Sequence, residues 1–139
     1  MIPYIPQYFK PWEFVPRIIY EKMGEDSLLL IKTILLITAD DIRKFFNAPM
    51  TINDYNNGGQ KEFRGFRPAY CTIGAELSEH RVGGAFDCNI DGVTAADARR
   101  EILAHPSAFP YLRRLEDGVD WIHADVKNHD KEGIILFKP

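Results

Sequence analysis

SEHRVGGAFDCNIDGVTAAD, residues 78–97, contains the beginnings of two different metal sites that share one residue. From its left end, His80 and Asp87 stand seven apart across the Gly83-Gly84 turn, as the first half of a zinc site would. From its right end, Asp87, Asn89, Asp91 and Gly92 follow the spacing of a calcium loop, whose closing acid belongs at position twelve. Counted from Asp87, position twelve is Ala98 and Asp97 falls at eleven. The calcium count fails by one residue, and the GGAF that precedes it is no entering helix.

The same stretch sets the local fold. Ala85 to Ile90 alternates, with Phe86, Cys88 and Ile90 on one face and Ala85, Asp87 and Asn89 on the other, which predicts a half-buried strand with Asp87 on its polar side. Asp91-Gly92 is a turn, and Thr94 caps a helix over 95–104 whose apolar side is Ala95, Ala98 and Ile102; Pro106 ends it.

Working outward, residues 1–16 are rich in proline and aromatics and are expected as an extended arm over the body. Pro16 opens a short helix, Arg17 to Met23, which Gly24 ends. The apolar run from Leu28 to Ile37 is read as helical on length, and Thr38-Ala-Asp-Asp41 as the cap of a further helix carrying Ile42, Phe45 and Phe46. Pro49 stops that helix. Met50 to Asn53 and Arg64 to Tyr70 are expected as short strands, and Trp121–Val126 with Ile134–Phe137 as a closing antiparallel pair. Helices early and strands mostly late give one α+β domain over 1–139.

Composition excludes several classes. A formal net charge of -3 argues against a general nucleic-acid binder, which needs excess Lys and Arg to neutralise phosphates. The longest apolar run, Ser27 to Ile37, is too short for a bilayer and is broken by Lys32, so no membrane insertion is expected. The first sixteen residues have no basic segment followed by an apolar run, so no secretion signal is expected. Cys71 and Cys88 lack CxxC spacing and are expected reduced.

A catalytic zinc needs three protein ligands and an open position. His80 and Asp87 supply two. VDWIHADV, residues 119–126, offers a third: in a strand from Trp121, His123 and Asp125 share a face while Ile122, Ala124 and Val126 point to the core. Asp120 would face the other way in such a strand, so it joins the site only from the turn after Gly118, where it could take the proton of an attacking water. Arg67, in RGFRPAY, is the candidate cation for an oxyanion. His105, at a helix end, and His129, in a polar loop, are not assigned to the site.

Ser78-x-His80, then Gly83 or Gly84, Ala85 and Asp87, followed by Asp120-Trp-Ile-His123-Ala-Asp125, resembles the zinc peptidases of the D-Ala-D-Ala carboxypeptidase and L-alanyl-D-glutamate endopeptidase family, which share a fold with the hedgehog signalling domain. The resemblance covers roughly 50–139. It implies a small antiparallel sheet carrying zinc between flanking helices, with His80, Asp87 and His123 as ligands and Asp120 as general base. RGFRPAY resembles the family's S-G-Y/F-R segment, which places Arg67, with Ser78, at the substrate; Asp125 is expected to support the site from behind. Asp120 stands where many relatives have Glu, and Arg64 stands where they have a small residue, a change expected at the pocket rim. DCNIDGVTAAD also resembles the loop of dockerins and EF-hands, but with the register error above.

The implied activity is hydrolysis of a peptide bond in the peptidoglycan stem peptide. A small chain without a secretion signal fits a phage or prophage lysis enzyme, made in the cytoplasm and released to the cell wall by other means. The alternative is a non-catalytic wall-binding or virion module that keeps the fold.

Overall fold

A computed structural model describes residues 4–74 and 78–138. In chain order it contains α1 (Arg17–Met23), α2 (Thr33–Phe46), β1 (Met50–Thr51), β2 (Ala85–Ile90), α3 (Ala95–Ala104), β3 (Arg114–Glu116), β4 (Ile122–Asp125) and β5 (Ile135–Phe137), linked by short 3-10 turns. The strands form one sheet in the order β1-β2-β4-β3-β5. The architecture is α+β, as expected.

The sheet is mixed rather than antiparallel throughout. β1, β2, β4 and β3 pair antiparallel, but β5 runs parallel to β3. β4 and β5, expected as neighbours, are separated by β3. That strand is hard to see in sequence because its three residues carry one apolar side chain, Leu115, too few to show a period. Residues 64–70 form no strand. The segment nevertheless runs against β2, where the Asp87 N–H donates to the Arg64 carbonyl at 2.6 Å.

β2 shows the expected alternation, and its two faces divide the molecule. Phe86 and Cys88, with Ile122 and Ala124 of β4 and Leu115 of β3, are fully buried in a core completed by Leu35, Leu36 and Ile42 of α2 and Ala98 and Ile102 of α3. Each of the larger side chains contributes about 1.5–3 kcal/mol by leaving water. The opposite face carries Asp87, His123 and Asp125. α3 has the expected bounds, with the Asp97 N–H donating to Thr94 Oγ1 at 3.1 Å.

α2 differs from expectation at its start. It begins at Thr33, so Thr38 lies inside it and donates its hydroxyl to the Ile34 carbonyl at 2.7 Å instead of capping a new helix. The unbroken apolar run hides this boundary, because Ser27 to Leu30 belongs to a separate 3-10 turn. Asp40, buried at mid-helix, accepts hydrogen bonds from the Tyr4 hydroxyl at 2.6 Å and from the Gln7 and Tyr8 N–H groups at 2.8 and 3.1 Å. It holds the N-terminal segment, which also delivers Phe9, Trp12, Phe14 and Val15 to the interior. Among the described residues, no helix is long and apolar enough to cross a membrane.

Candidate metal centre

His80 is positioned mainly by its neighbours in sequence. The Ser78 hydroxyl accepts the His80 N–H at 3.2 Å and caps the 3-10 turn Glu79–Val82. Gly83 leaves that turn at φ 71° with the Leu30 carbonyl against it, so a side chain at Gly83 would be strained and would clash. The Lys32 N–H donates to the Gly83 carbonyl at 2.9 Å and ties the turn to the start of α2. His80 is 2% exposed, and its Nδ1 lies 2.8 Å from the Gly65 carbonyl. A carbonyl can only accept, so Nδ1 carries a hydrogen, and Nε2 is the nitrogen turned to Asp87.

His123 and Asp87 meet because β2 and β4 pair with these residues in register. Asp87 Oδ1 lies 2.9 Å from His123 Nδ1 and 3.3 Å from His80 Nε2. Its Oδ2 receives Arg67 Nη2 at 3.3 Å. On the far side of the His123 ring, Nε2 lies 2.8 Å from Asp125 Oδ2. Asp125 is fully buried and is gripped by Arg114, whose Nε and Nη2 donate to it at 3.0 and 2.8 Å. The Arg114 guanidinium in turn covers the Phe137 ring at 3.8 Å, so β5 closes this support.

The electrostatics follow from two carboxylates flanking one imidazole. Burial alone would lower the His123 pKa, but its hydrogen bonds to Asp125 and Asp87 raise it to about 9. Burial likewise opposes ionisation of Asp87, yet hydrogen bonds from His123 and His80 hold it well below the usual carboxylate range. Asp125 is also lowered: hydrogen bonds from His123 and Arg114 outweigh its burial. Without metal, the third positive charge beside these acids is a proton on His123.

His80, Asp87 and His123 each offer one ligand atom, and these atoms lie within 4.8 Å of one another, so the group can hold a metal ion. The fit is chemical as well as geometric. Tetrahedral zinc with bonds of about 2.0–2.2 Å sets its ligand atoms roughly 3.3–3.6 Å apart; the 3.3 Å from Asp87 Oδ1 to His80 Nε2 falls in that range, and the 2.9 Å to His123 Nδ1 is a hydrogen-bond contact that an ion would widen. Both imidazoles have their other nitrogen anchored, His80 on a carbonyl and His123 on a carboxylate, as metal-bound histidines require. The calcium spacing has no such convergence: Asp87 turns to the histidines, Asn89 accepts from Arg64 Nη2 at 2.7 Å, and Asp91 is exposed.

The three residues line a cavity of about 370 Å³ together with Arg67, Ser78, Glu79, Arg114, Glu116 and Trp121. Arg67 is buried, which lowers its pKa against the opposing pull of Asp87. Asp120 is exposed in the bend before β4 and is not among the lining residues. Arg64, expected at the rim, instead reaches across β1 and β2 to Asn89 and the Ile52 carbonyl. His105 and His129 lie elsewhere, bonded to the Glu101 and Arg113 carbonyls. Cys71 and Cys88 are free and buried.

Sequence reasoning missed Arg114 and Glu116. Their signal is the alternation Arg114-Leu115-Glu116, which in LRRLEDG reads as a charged loop. Compared with known proteins, the chain matches no family model, no curated sequence and no solved structure.

Proposed function

We propose that the chain is a zinc peptidase that cleaves a peptide bond in the peptidoglycan stem peptide. The observation that carries this reading is the convergence of His80 Nε2, Asp87 Oδ1 and His123 Nδ1 beside an open cavity. Three protein ligands with a free side is the arrangement of catalytic rather than structural zinc. Zinc bound there supplies Lewis acidity, polarising a carbonyl and making water acidic enough to react near neutral pH.

The chain's own residues supply the rest. Arg67, held by the Phe63 carbonyl and Asp87, offers its guanidinium to the developing oxyanion or to a substrate carboxylate. Ser78 lines the same cavity and sets the His80 turn. The wall formed by Trp121 and Ile73 suits small apolar side chains such as alanine methyl groups. The choice of substrate rests on the resemblance to the SxHxxGxAxD and (E/D)xxH patterns of the wall peptidases, as does the reading of a phage or prophage lysis enzyme acting on the cell wall.

The test is digestion of purified peptidoglycan by the zinc-loaded protein, with released termini identified by mass spectrometry. New stem-peptide termini that vanish with chelator and return with zinc are expected. Binding to sacculi without any cleavage would instead place the chain among non-catalytic wall-binding modules.

A further inference from the structure

Hydrolysis by a metal site of this kind needs a carboxylate or other base to carry a proton from water to the leaving nitrogen. Three acids among the described residues line the cavity: Glu79, Asp87 and Glu116. Asp87 is taken, as a ligand and as the partner of Arg67. Glu79 is engaged by Lys32 Nζ at 3.4 Å. Among the described residues Glu116 has no side-chain hydrogen bond or ion-pair partner, and its charge is felt by Arg67 across the cavity.

Strand register places Glu116 where the proton must move. β3 and β4 pair Arg114 with Asp125 and Leu115 with Ala124. Continued by one residue, the ladder sets Glu116 opposite His123. Side chains alternate along a strand, so Glu116 shares the face of Arg114, whose guanidinium reaches Asp125 behind the His123 ring. Leu115 between them points into the core and is fully buried. The half-buried Glu116 is thus presented to the metal-binding face by a rigid sheet, whereas Asp120 sits exposed in a bend.

We propose that Glu116, rather than Asp120, is the catalytic acid-base residue of this site. The proposal rests on the peptidase reading above. The water oxygen bonds to the carbonyl carbon while its proton passes to the Glu116 carboxylate. The carboxylic acid then gives that proton to the amide nitrogen as the C–N bond breaks, and the second water proton leaves with the new carboxyl group, which ionises to solvent.

The test compares wild type, Glu116→Gln and Asp120→Asn as full-length zinc-loaded proteins on purified peptidoglycan. Glu116→Gln is expected to bind one zinc per chain as wild type does and to lose about 10²–10⁴-fold in turnover. Asp120→Asn is expected to stay within threefold. A second readout needs no turnover: with carboxyl-labelled Glu and Asp, the Glu116 carbon resonance, assigned by its loss in Glu116→Gln, shifts on adding one equivalent of zinc, and that of Asp120 does not. Near-normal turnover in Glu116→Gln, a loss in Asp120→Asn as large as in Glu116→Gln, or a zinc-induced shift at Asp120 alone overturns the assignment and leaves the peptidase reading standing. A wild type that takes up zinc and cleaves nothing overturns both.

Discussion

The two histidines of the centre are held in opposite ways. His80 sits on a turn whose supports are close in sequence, Ser78 before it and Gly83 after it, and its outer nitrogen rests on a neutral carbonyl at 2.8 Å. His123 sits mid-sheet, and its outer nitrogen rests on an ionised carboxylate that depends on Arg114 and, through it, on β5. The difference teaches that one candidate metal ligand is fixed by local turn chemistry and the other by charge assembled from three strands. A fault on the His80 side should remain local, whereas a fault on the His123 side should spread.

The sharpest way to break the comparison is to remove a ligand from each side. His80→Ala and His123→Ala are both expected to abolish stoichiometric zinc uptake, measured by elemental mass spectrometry, because two protein ligands do not make a tight zinc site. Only His123→Ala should also disturb the fold, since it leaves Asp87 and Asp125 facing each other without the cation between them. Equal thermal stability of the two metal-free variants would contradict the asymmetry.

Arg114→Met comes next. It leaves the fully buried Asp125 carboxylate with the His123 ring as its one remaining side-chain counter-charge among the described residues, and breaking such a buried pair costs about 3–5 kcal/mol. Urea unfolding of the metal-free variant reads this directly; a loss below about 1 kcal/mol would mean that Asp125 does not rely on Arg114.

The pH dependence is the third. In the metal-free protein the His123 pKa is raised to about 9, above the unfolded value near 6.5. Its stabilising contribution is therefore complete below about pH 6.5 and is lost as pH rises through about 9. Zinc needs the same nitrogen unprotonated, so its affinity should climb up to about tenfold per pH unit over that window. Zinc titrations at pH 6.5, 7.5 and 8.5 check the slope, and a flat profile would show that His123 is already neutral.

Ser78→Ala is the mildest change. Losing a side-chain cap costs about 1 kcal/mol and should weaken zinc binding several-fold while the sheet and the His123 side stay intact.

The same contrast explains what could be read from sequence. The His80 side was legible because its determinants are contiguous, the glycine turn and the alternation that sends Asp87 away from Phe86 and Cys88, while the Ser78 cap emerged only in the structure. α1 and α3 were legible for the same reason, with Pro16, Gly24 and Thr94 marking their ends. The placement of His123 and Asp125 on one face followed from strand parity. What holds them did not, because β3 is three residues long, carries one apolar side chain, and gains its meaning only from pairing with β4 and β5. Asp120 lies outside β4, in the bend after Gly118 where strand parity required it to be, and is exposed. The start of α2 was hidden in an apolar run with no period, where burial on all sides removes the amphipathic signal.

The most direct test of the metal centre is the zinc content of the purified protein after a zinc challenge and removal of loose metal, by elemental mass spectrometry. One zinc per chain in wild type, and none in His123→Ala, is the predicted result. Calcium as the only bound metal, or no retained metal in wild type, would contradict the assembly of His80, Asp87 and His123 into a zinc site.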